Sequence, residues 1–586
     1  MPTITADLND LCGLIGRAMN AGELEKALSL VKAELKESDE EGGTGEIRIE
    51  LTDTNRPDLW CAEGVARQIK AHTSGKPPRY AFFEGGAQAE LSVEVDAALR
   101  EVRPFVAAFA ARGPAVTDAV LVQMIQTQEK LCENYGRKRR NVAIGIYNAD
   151  KIRFPVRFMA AQPNSFTFTP LGLDEPMTLE RIMAEHPKGK EYAHLVRGKA
   201  ACPILADADG KVLSFPPIIN SRETGEVKVG DDHLFVEATG TDMRQLLLVI
   251  NIMAANFADR GWQVEPVRIE LPYDSELGRQ VQTPASLNVS LEVELVAFQK
   301  AIGEGFTAEE VAEELGRYGL EVAMHGGEDD RSREAFKVHC PPWRDDYLHP
   351  MDVVEDFAIS RGFDTFNPVM PAQFTVGKLK PITLLIDRVR GHMTGFGFEE
   401  IFSNILSNRE TERGHMLLGE EPIVTIDNVM SETYSVLRSS ILPSLLRVEA
   451  QSSKALYPHK LFEAGEVCIP DDGTNTGSRT ESRIAAVWAA ADTGFSEIHS
   501  VLDMLLYYLV QSYELKPRDF PFYFEGRSGE VILLEGSPEA GKDAGESNDQ
   551  DRGRRVIGHI GEVHPEVLTR FGITMPCAAF EIVLDP

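Results

Sequence analysis

Closely spaced cysteines, long apolar runs and any excess of basic charge are all missing from this sequence. Its seven cysteines, at positions 12, 61, 132, 202, 340, 468 and 577, lie far apart, so no pair has the short spacing of a zinc knuckle or a redox motif. They read as reduced, mostly buried thiols. No stretch approaches the roughly 20 uninterrupted apolar residues that span a bilayer. The opening Met1-Pro2-Thr3-Ile4-Thr5-Ala6-Asp7-Leu8 has no basic and apolar signal pattern, so a cytoplasmic protein with no membrane association is expected. Sixty basic against 91 acidic residues give a net charge of -31, which excludes nucleic-acid binding over the whole surface. Any RNA contact must be local or shared with a more basic partner. The P-loop pattern of nucleotide hydrolases is absent too.

What is present is a chain of 586 residues, 43% apolar and 26% charged, ordinary for soluble domains and too long for one core, so about three to five domains are expected. Leu24, Leu28, Val31 and Leu35 recur at helical spacing behind Asn20-Ala21-Gly22. Ile47, Ile49 and Leu51 then alternate with Arg48 and Glu50 as a half-buried strand, followed by Arg56-Pro57-Asp58 and a helix over roughly 62–72. The same grammar returns near 306. Thr307 and Glu310 form a capping box ahead of Val311, Leu315 and Tyr318, and Gly319 is placed to end that helix. A short strand, Phe336-Lys337-Val338, leads into Arg344-Asp345-Asp346 and a helix from Pro350. We read two copies of one helix, strand, Arg-x-Asp and helix module, with a one-residue gap after the Asp that sets Ala66 and Arg67 opposite Glu355 and Asp356. Between the copies, a helical pattern at 120–135 and strand-like runs at 141–147 and 233–238 predict an α+β domain. A final mixed domain carries helical runs at 381–395 and 500–512. Residues 536–555 hold almost no large apolar side chains, which predicts a disordered surface loop.

After Asp346, the predicted helix carries Asp352, Glu355 and Asp356 at positions i, i+3 and i+4, on one face. Acids gather in a first helical turn because the backbone dipole favours them there, with Pro350 at the first position. Carboxylates converging without basic partners also suit a hard, oxygen-seeking cation such as Mg²⁺. Spacing alone leaves both readings open.

The residues around this cluster decide which family the chain resembles. Pro341-Pro342-Trp343-Arg344-Asp345-Asp346, Asp352 and the Glu355-Asp356 pair resemble the magnesium module of phenylalanyl-tRNA synthetase beta subunits. Further similar wording stands at Thr54-Asn55-Arg56-Pro57-Asp58, Gly136-Arg137-Lys138-Arg139-Arg140, His186-Pro187-Lys188-Gly189-Lys190, Ser214-Phe215-Pro216-Pro217, Thr239-Gly240-Thr241-Asp242 and Leu437-Arg438-Ser439-Ser440. The length leaves no room for the extra domains of longer bacterial beta subunits, so the archaeal and eukaryotic type is expected. The resemblance implies an α+β multidomain fold. Its parts would be a winged-helix-like module of nucleic-acid-binding kind at 1–82, a central tRNA-editing domain at 85–268, a second, magnesium-binding module at 270–370, and an antiparallel-sheet domain at 375–586 that resembles class II synthetases without their catalytic motifs.

The resemblance also implies roles. Asp346, Asp352, Glu355 and Asp356 would bind Mg²⁺. Leu205, Ser214, Glu237 and Thr239 would line an editing pocket that clears tyrosine from mischarged tRNA, Glu237 accepting the tyrosine hydroxyl's proton. An apolar pocket rejects an added hydroxyl by only about a hundredfold, hence the value of a second, hydrolytic site. Read without the family, Glu237 is a strand residue whose carboxylate faces solvent or pairs with a nearby base. Ligation would belong to an alpha subunit in an (αβ)₂ heterotetramer, with ATP as a substrate of the complex alongside phenylalanine and tRNA(Phe), because the last domain lacks the phosphate-binding arginines. Arg438 there is expected to support fold or interface. The run at 137–140 could touch tRNA phosphates or be a solvated turn. The alternatives are a stand-alone deacylase of mischarged tRNA and a non-enzymatic RNA-binding scaffold, the latter predicting a basic recognition helix.

Overall fold

Ile47, Ile49 and Leu51 face inward from the strand Glu46–Leu51 while Glu46 and Arg48 face out, the alternation of a strand buried on one side. It is the middle strand of a three-stranded antiparallel sheet, between Thr3–Asp7 and Ala33–Ser38. Helices Leu8–Ile15, Ala21–Leu28 and Ala62–Ser74 bury Leu11, Leu24, Leu28, Val65 and Ile69 in the same core. The helical spacing read from Leu24 to Leu35 ends at Val31. Lys32 takes a left-handed φ of 47°, the chain turns, and Leu35 lies on the strand Ala33–Ser38. The computed structural model describes residues 2–38, 45–85, 89–325, 334–452, 454–534 and 554–584, and the chain divides into two compact units, Met1–Met370 and Pro371–Pro586.

The second module of the first unit repeats this order. Strand Ser290–Glu294, helices Leu295–Ile302 and Ala308–Arg317, strands Glu321–His325 and Ala335–His339, and helix Pro350–Arg361 follow in turn, with Ala335–His339 again the middle strand. The Thr307 capping box forms as expected, each partner bonding the other's backbone N–H. The closing helices have N-caps at Cys61 and His349, the same distance beyond Arg56 and Arg344. No gap therefore separates the copies. Arg67, not Ala66, stands opposite Glu355, and Gln68 stands opposite Asp356.

Between the modules, one strand holds a ten-stranded sheet together. The first half of Gln263–Glu270 pairs with Phe105–Arg112, while its second half pairs with Leu91–Val95 and with Gln280–Thr283. Splitting a strand between partners lets two half-sheets fold toward each other over one apolar layer, in which Tyr147 and Phe235 from one half meet Leu205 and Leu213 from the other. Helix Met243–Asp259, apolar almost all round, backs the first half.

In the second unit a seven-stranded, largely antiparallel sheet is covered on one face by helices Pro381–Gly395 and Phe495–Tyr508 and on the other by Leu442–Gln451 and Pro565–Phe571. Of the loop expected at 536–555, residues up to 553 lie outside the described residues, and Arg554 and Arg555 open the strand Arg554–Val563.

Candidate functional site

Glu237 lies on the strand His233–Gly240, in register with Gly145 of the neighbouring strand Val142–Asn148. Phe235, Glu237 and Thr239 share one face of that strand, and Tyr147 comes from the same face of the partner. Leu205 and Ser214 are register partners on the opposite half-sheet. The fold thus brings the candidate residues together: Leu205, Ser214, Glu237 and Thr239 are all buried. Tyr147, absent from the sequence reading, joins them. Its phenol oxygen stands 2.8 Å from Glu237 Oε1 and 2.9 Å from Ser214 Oγ, so its single proton serves one at a time. Gly145 makes this approach possible, since a Cβ there would stand 2.1 Å from the phenol oxygen and 2.6 Å from Glu237 Oε1.

Glu237 Oε2 is buried without a hydrogen-bond partner among the described residues. Burial raises the Glu237 carboxyl to about 8, against the pull of Tyr147's hydrogen bond and Arg103's charge. At neutral pH the group is therefore mostly the neutral acid, able to donate as well as accept, rather than only the acceptor that the resemblance implies. Thr239 is already engaged, its hydroxyl accepting from Arg103 Nε at 3.0 Å. Tyr147 and Gly145 carry a sequence signal in hindsight, an i, i+2 pair on the strand expected at 141–147. Arg103 carries none.

The four acids of the second module do not converge. Arg344 holds Asp346 through Nε at 2.9 Å and Nη2 at 2.7 Å, and Nη2 also pairs with Asp356 at 2.9 Å. Asp356 is 4% exposed and accepts from the Tyr347 phenol at 2.6 Å. Burial opposes ionisation of Asp346, yet Arg344 draws its carboxyl down to about 2, while burial pushes Asp356 up. Asp352 turns back to accept from the backbone N–H groups of Leu348 and His349, both at 2.7 Å, and Glu355 pairs with Lys32. The single face read from spacing splits because consecutive helical residues diverge by about 100°, which sends Asp356 inward and Glu355 outward. Among the described residues, no group of three or more His, Cys, Asp or Glu side chains is placed to hold a metal ion. In this arrangement the quartet does not fit Mg²⁺, since each carboxylate already serves a cation or a helix end of the chain itself.

The first module shows why. Arg56 forks onto Asp58, with both bonds at 2.8 Å, and reaches Gln68 Oε1 at 3.3 Å. Asp58 and Gln68 occupy the positions of Asp346 and Asp356. One arginine-centred lock is therefore built twice, with an amide in one copy where the other has a carboxylate.

Comparison with known proteins places this geometry. Residues 291–363 match the tRNA synthetase B5 domain profile, and residues 367–584 match that of the phenylalanyl tRNA synthetase beta chain CLM domain. The phenylalanine–tRNA ligase beta subunit of Borrelia hermsii is 34% identical over 588 residues, covering 100% of this chain and 99% of that one. That of Borreliella burgdorferi strain ZS7 is 35% identical over 591 residues with the same coverage. The chain belongs to the phenylalanine–tRNA ligase beta-subunit family. An N-terminal fragment of the phenylalanyl-tRNA synthetase beta subunit from Pyrococcus horikoshii superposes with a TM-score of 0.57 at 37% identity, over 61% of this chain and 99% of the fragment. Short length therefore does not separate archaeal from bacterial members of the family, because the Borrelia relatives are bacterial and align end to end with this chain. In the family's last domain, Arg438 is 2% exposed and bound to Glu463 at 2.8 Å, to the Glu466 carbonyl and to Ser403. Its burial and those partners are consistent with a role in the fold.

Proposed function

We propose that this chain works as the beta subunit of a cytoplasmic phenylalanine–tRNA ligase. With an alpha subunit in an (αβ)₂ assembly it supports ATP-dependent attachment of phenylalanine to tRNA(Phe), and its central sheet hydrolyses mischarged Tyr-tRNA(Phe). No helix among the described residues is long and apolar enough to cross a membrane. A scaffold that reads nucleic acid through its second module is disfavoured, because the helix Pro350–Arg361, which that reading needs to be basic, carries Asp352, Glu355 and Asp356.

The observation that carries the editing assignment is the buried Glu237 carboxyl, with one oxygen held by Tyr147 and the other unpartnered. A buried oxygen left unpaired costs about 1–3 kcal/mol. A tyrosine hydroxyl could recover that cost, and a phenylalanine ring could not. Water attack on the ester, positioned with help from the tRNA, completes the step. The test is co-expression with the alpha subunit followed by assays of phenylalanine charging and Tyr-tRNA(Phe) release. Glu237→Ala is expected to let Tyr-tRNA(Phe) accumulate while phenylalanine charging continues. Unchanged tyrosine release would remove Glu237 from the site, and a chain that neither co-purifies with alpha nor supports charging would refute the assignment as a whole.

A further inference from the structure

Residues 137–140 form a turn that the backbone resists. Arg137, Lys138 and Arg139 have φ of 50°, 52° and 62°, a left-handed stretch that residues with a Cβ rarely adopt even singly. Such local strain persists only where the surroundings impose it, and it clusters at functional sites.

The surroundings here are specific. Gly136 and Gly240 close the base of the turn, where an added Cβ would stand 2.5 Å from the Val142 carbonyl oxygen and 2.1 Å from that of Asn141 respectively. Arg139 is pinned: Nη1 donates to the carbonyls of Pro217 at 3.2 Å and Ile218 at 3.0 Å, and its guanidinium lies 4.4 Å from the Tyr192 ring centroid. From beneath, the buried Arg103 donates to the carbonyls of Arg139 at 3.3 Å and Arg140 at 3.2 Å, and the same guanidinium holds Thr239. The turn is thus tied to the segment following Ser214 and to the strand that carries Glu237.

Its three other cations are free. Arg137, Lys138 and Arg140 are exposed and form no ion pair among the described residues, in a chain with 91 acidic residues available. A rigid turn presenting unpaired cations gives up little entropy on binding an anion. The length of the stretch suits successive charges rather than a single carboxylate.

We propose that the turn at 137–140 grips the phosphodiester backbone of the tRNA acceptor strand and sets the acylated end beside Glu237. This rests on the reading that the Glu237 site receives aminoacylated tRNA. The test uses the complex with its alpha subunit and uncharged tRNA(Phe), so that it needs no hydrolysis. Replacing Arg137, Lys138 and Arg140 together by glutamine is expected to weaken tRNA binding about tenfold at ~0.1 M salt and to flatten the logarithmic salt dependence by about two. Lys138→Gly is expected to raise the unfolding midpoint by relieving the backbone while still weakening tRNA binding. A merely structural role would not separate those two effects. Unchanged affinity and salt slope in the triple variant would overturn the proposal, and so would an equal loss of binding to an unrelated DNA duplex, which would mark a non-specific cation patch. Intact tRNA binding by the triple variant with editing abolished by Glu237→Ala would sink this proposal alone. The converse result would sink the editing assignment, and with it Glu237 as the destination of the strand, while the grip on tRNA would stand.

Discussion

At the scale of residues, the side chains that matter owe their behaviour to what surrounds them. Burial raises the folded-state value of Glu237 to about 8 from an ordinary 4.5. The folded protein then binds the proton more tightly than the unfolded chain, and the stability this confers is complete below about pH 4.5 and lost as pH rises through about 8. Glu237→Gln keeps the shape and removes the titration. The stability of the natural chain relative to this variant should fall steadily across that window in chemical denaturation, and a flat difference would mean that Glu237 ionises freely. The two arginine locks give a second prediction. Gln68 already does in one copy what Asp356 does in the other, and the pair of locks holds Arg56 and Arg344 against Asp58, Asp346 and Asp356. Asp356→Gln is therefore expected to change stability by less than about 1 kcal/mol. Arg344→Met strands two buried carboxylates and should cost about 3–5 kcal/mol. A large loss in the glutamine variant would show that the carboxylate has a duty beyond the lock.

At the scale of elements, register decides what the sequence pattern leaves open. The alternation on Val142–Asn148 places Gly145 and Tyr147 on one face, and pairing with His233–Gly240 sets Gly145 opposite Glu237. Gly145→Ala would drive a methyl group into the phenol and the carboxyl. Overpacking of this kind costs about 1–3 kcal/mol, and the displaced Tyr147 should make tyrosine release fail along with stability, measured as deacylation of Tyr-tRNA(Phe) by the complex. Tolerance of the methyl group with full activity would contradict the close approach. The helices were the most legible elements. The 381–395 run is the helix Pro381–Gly395, and the capping box at Thr307 and Glu310 starts Ala308–Arg317. Where a helical pattern failed, after Val31, the cause was the left-handed Lys32, which no apolar spacing announces.

At the scale of the whole molecule, two units with separate cores are expected to unfold in more than one transition. Each holds a buried acid raised by burial, Glu237 to about 8 in the first and Glu412 to about 7 in the second. Glu237→Gln and Glu412→Gln should therefore move different transitions in calorimetry, and a single cooperative peak that both variants move would refute the division. The sequence by itself determined the family, the duplicated module, several of the helices and which residues to suspect, since these depend on periodicity, capping and motif wording carried along the chain. Tertiary structure decided what those residues do. Asp346 and Asp356 turn to Arg344, Glu355 meets a lysine from the far module, and Glu237 is capped by Tyr147, because Coulomb attraction and desolvation depend on distance in space, and the partners that set them are distant in sequence.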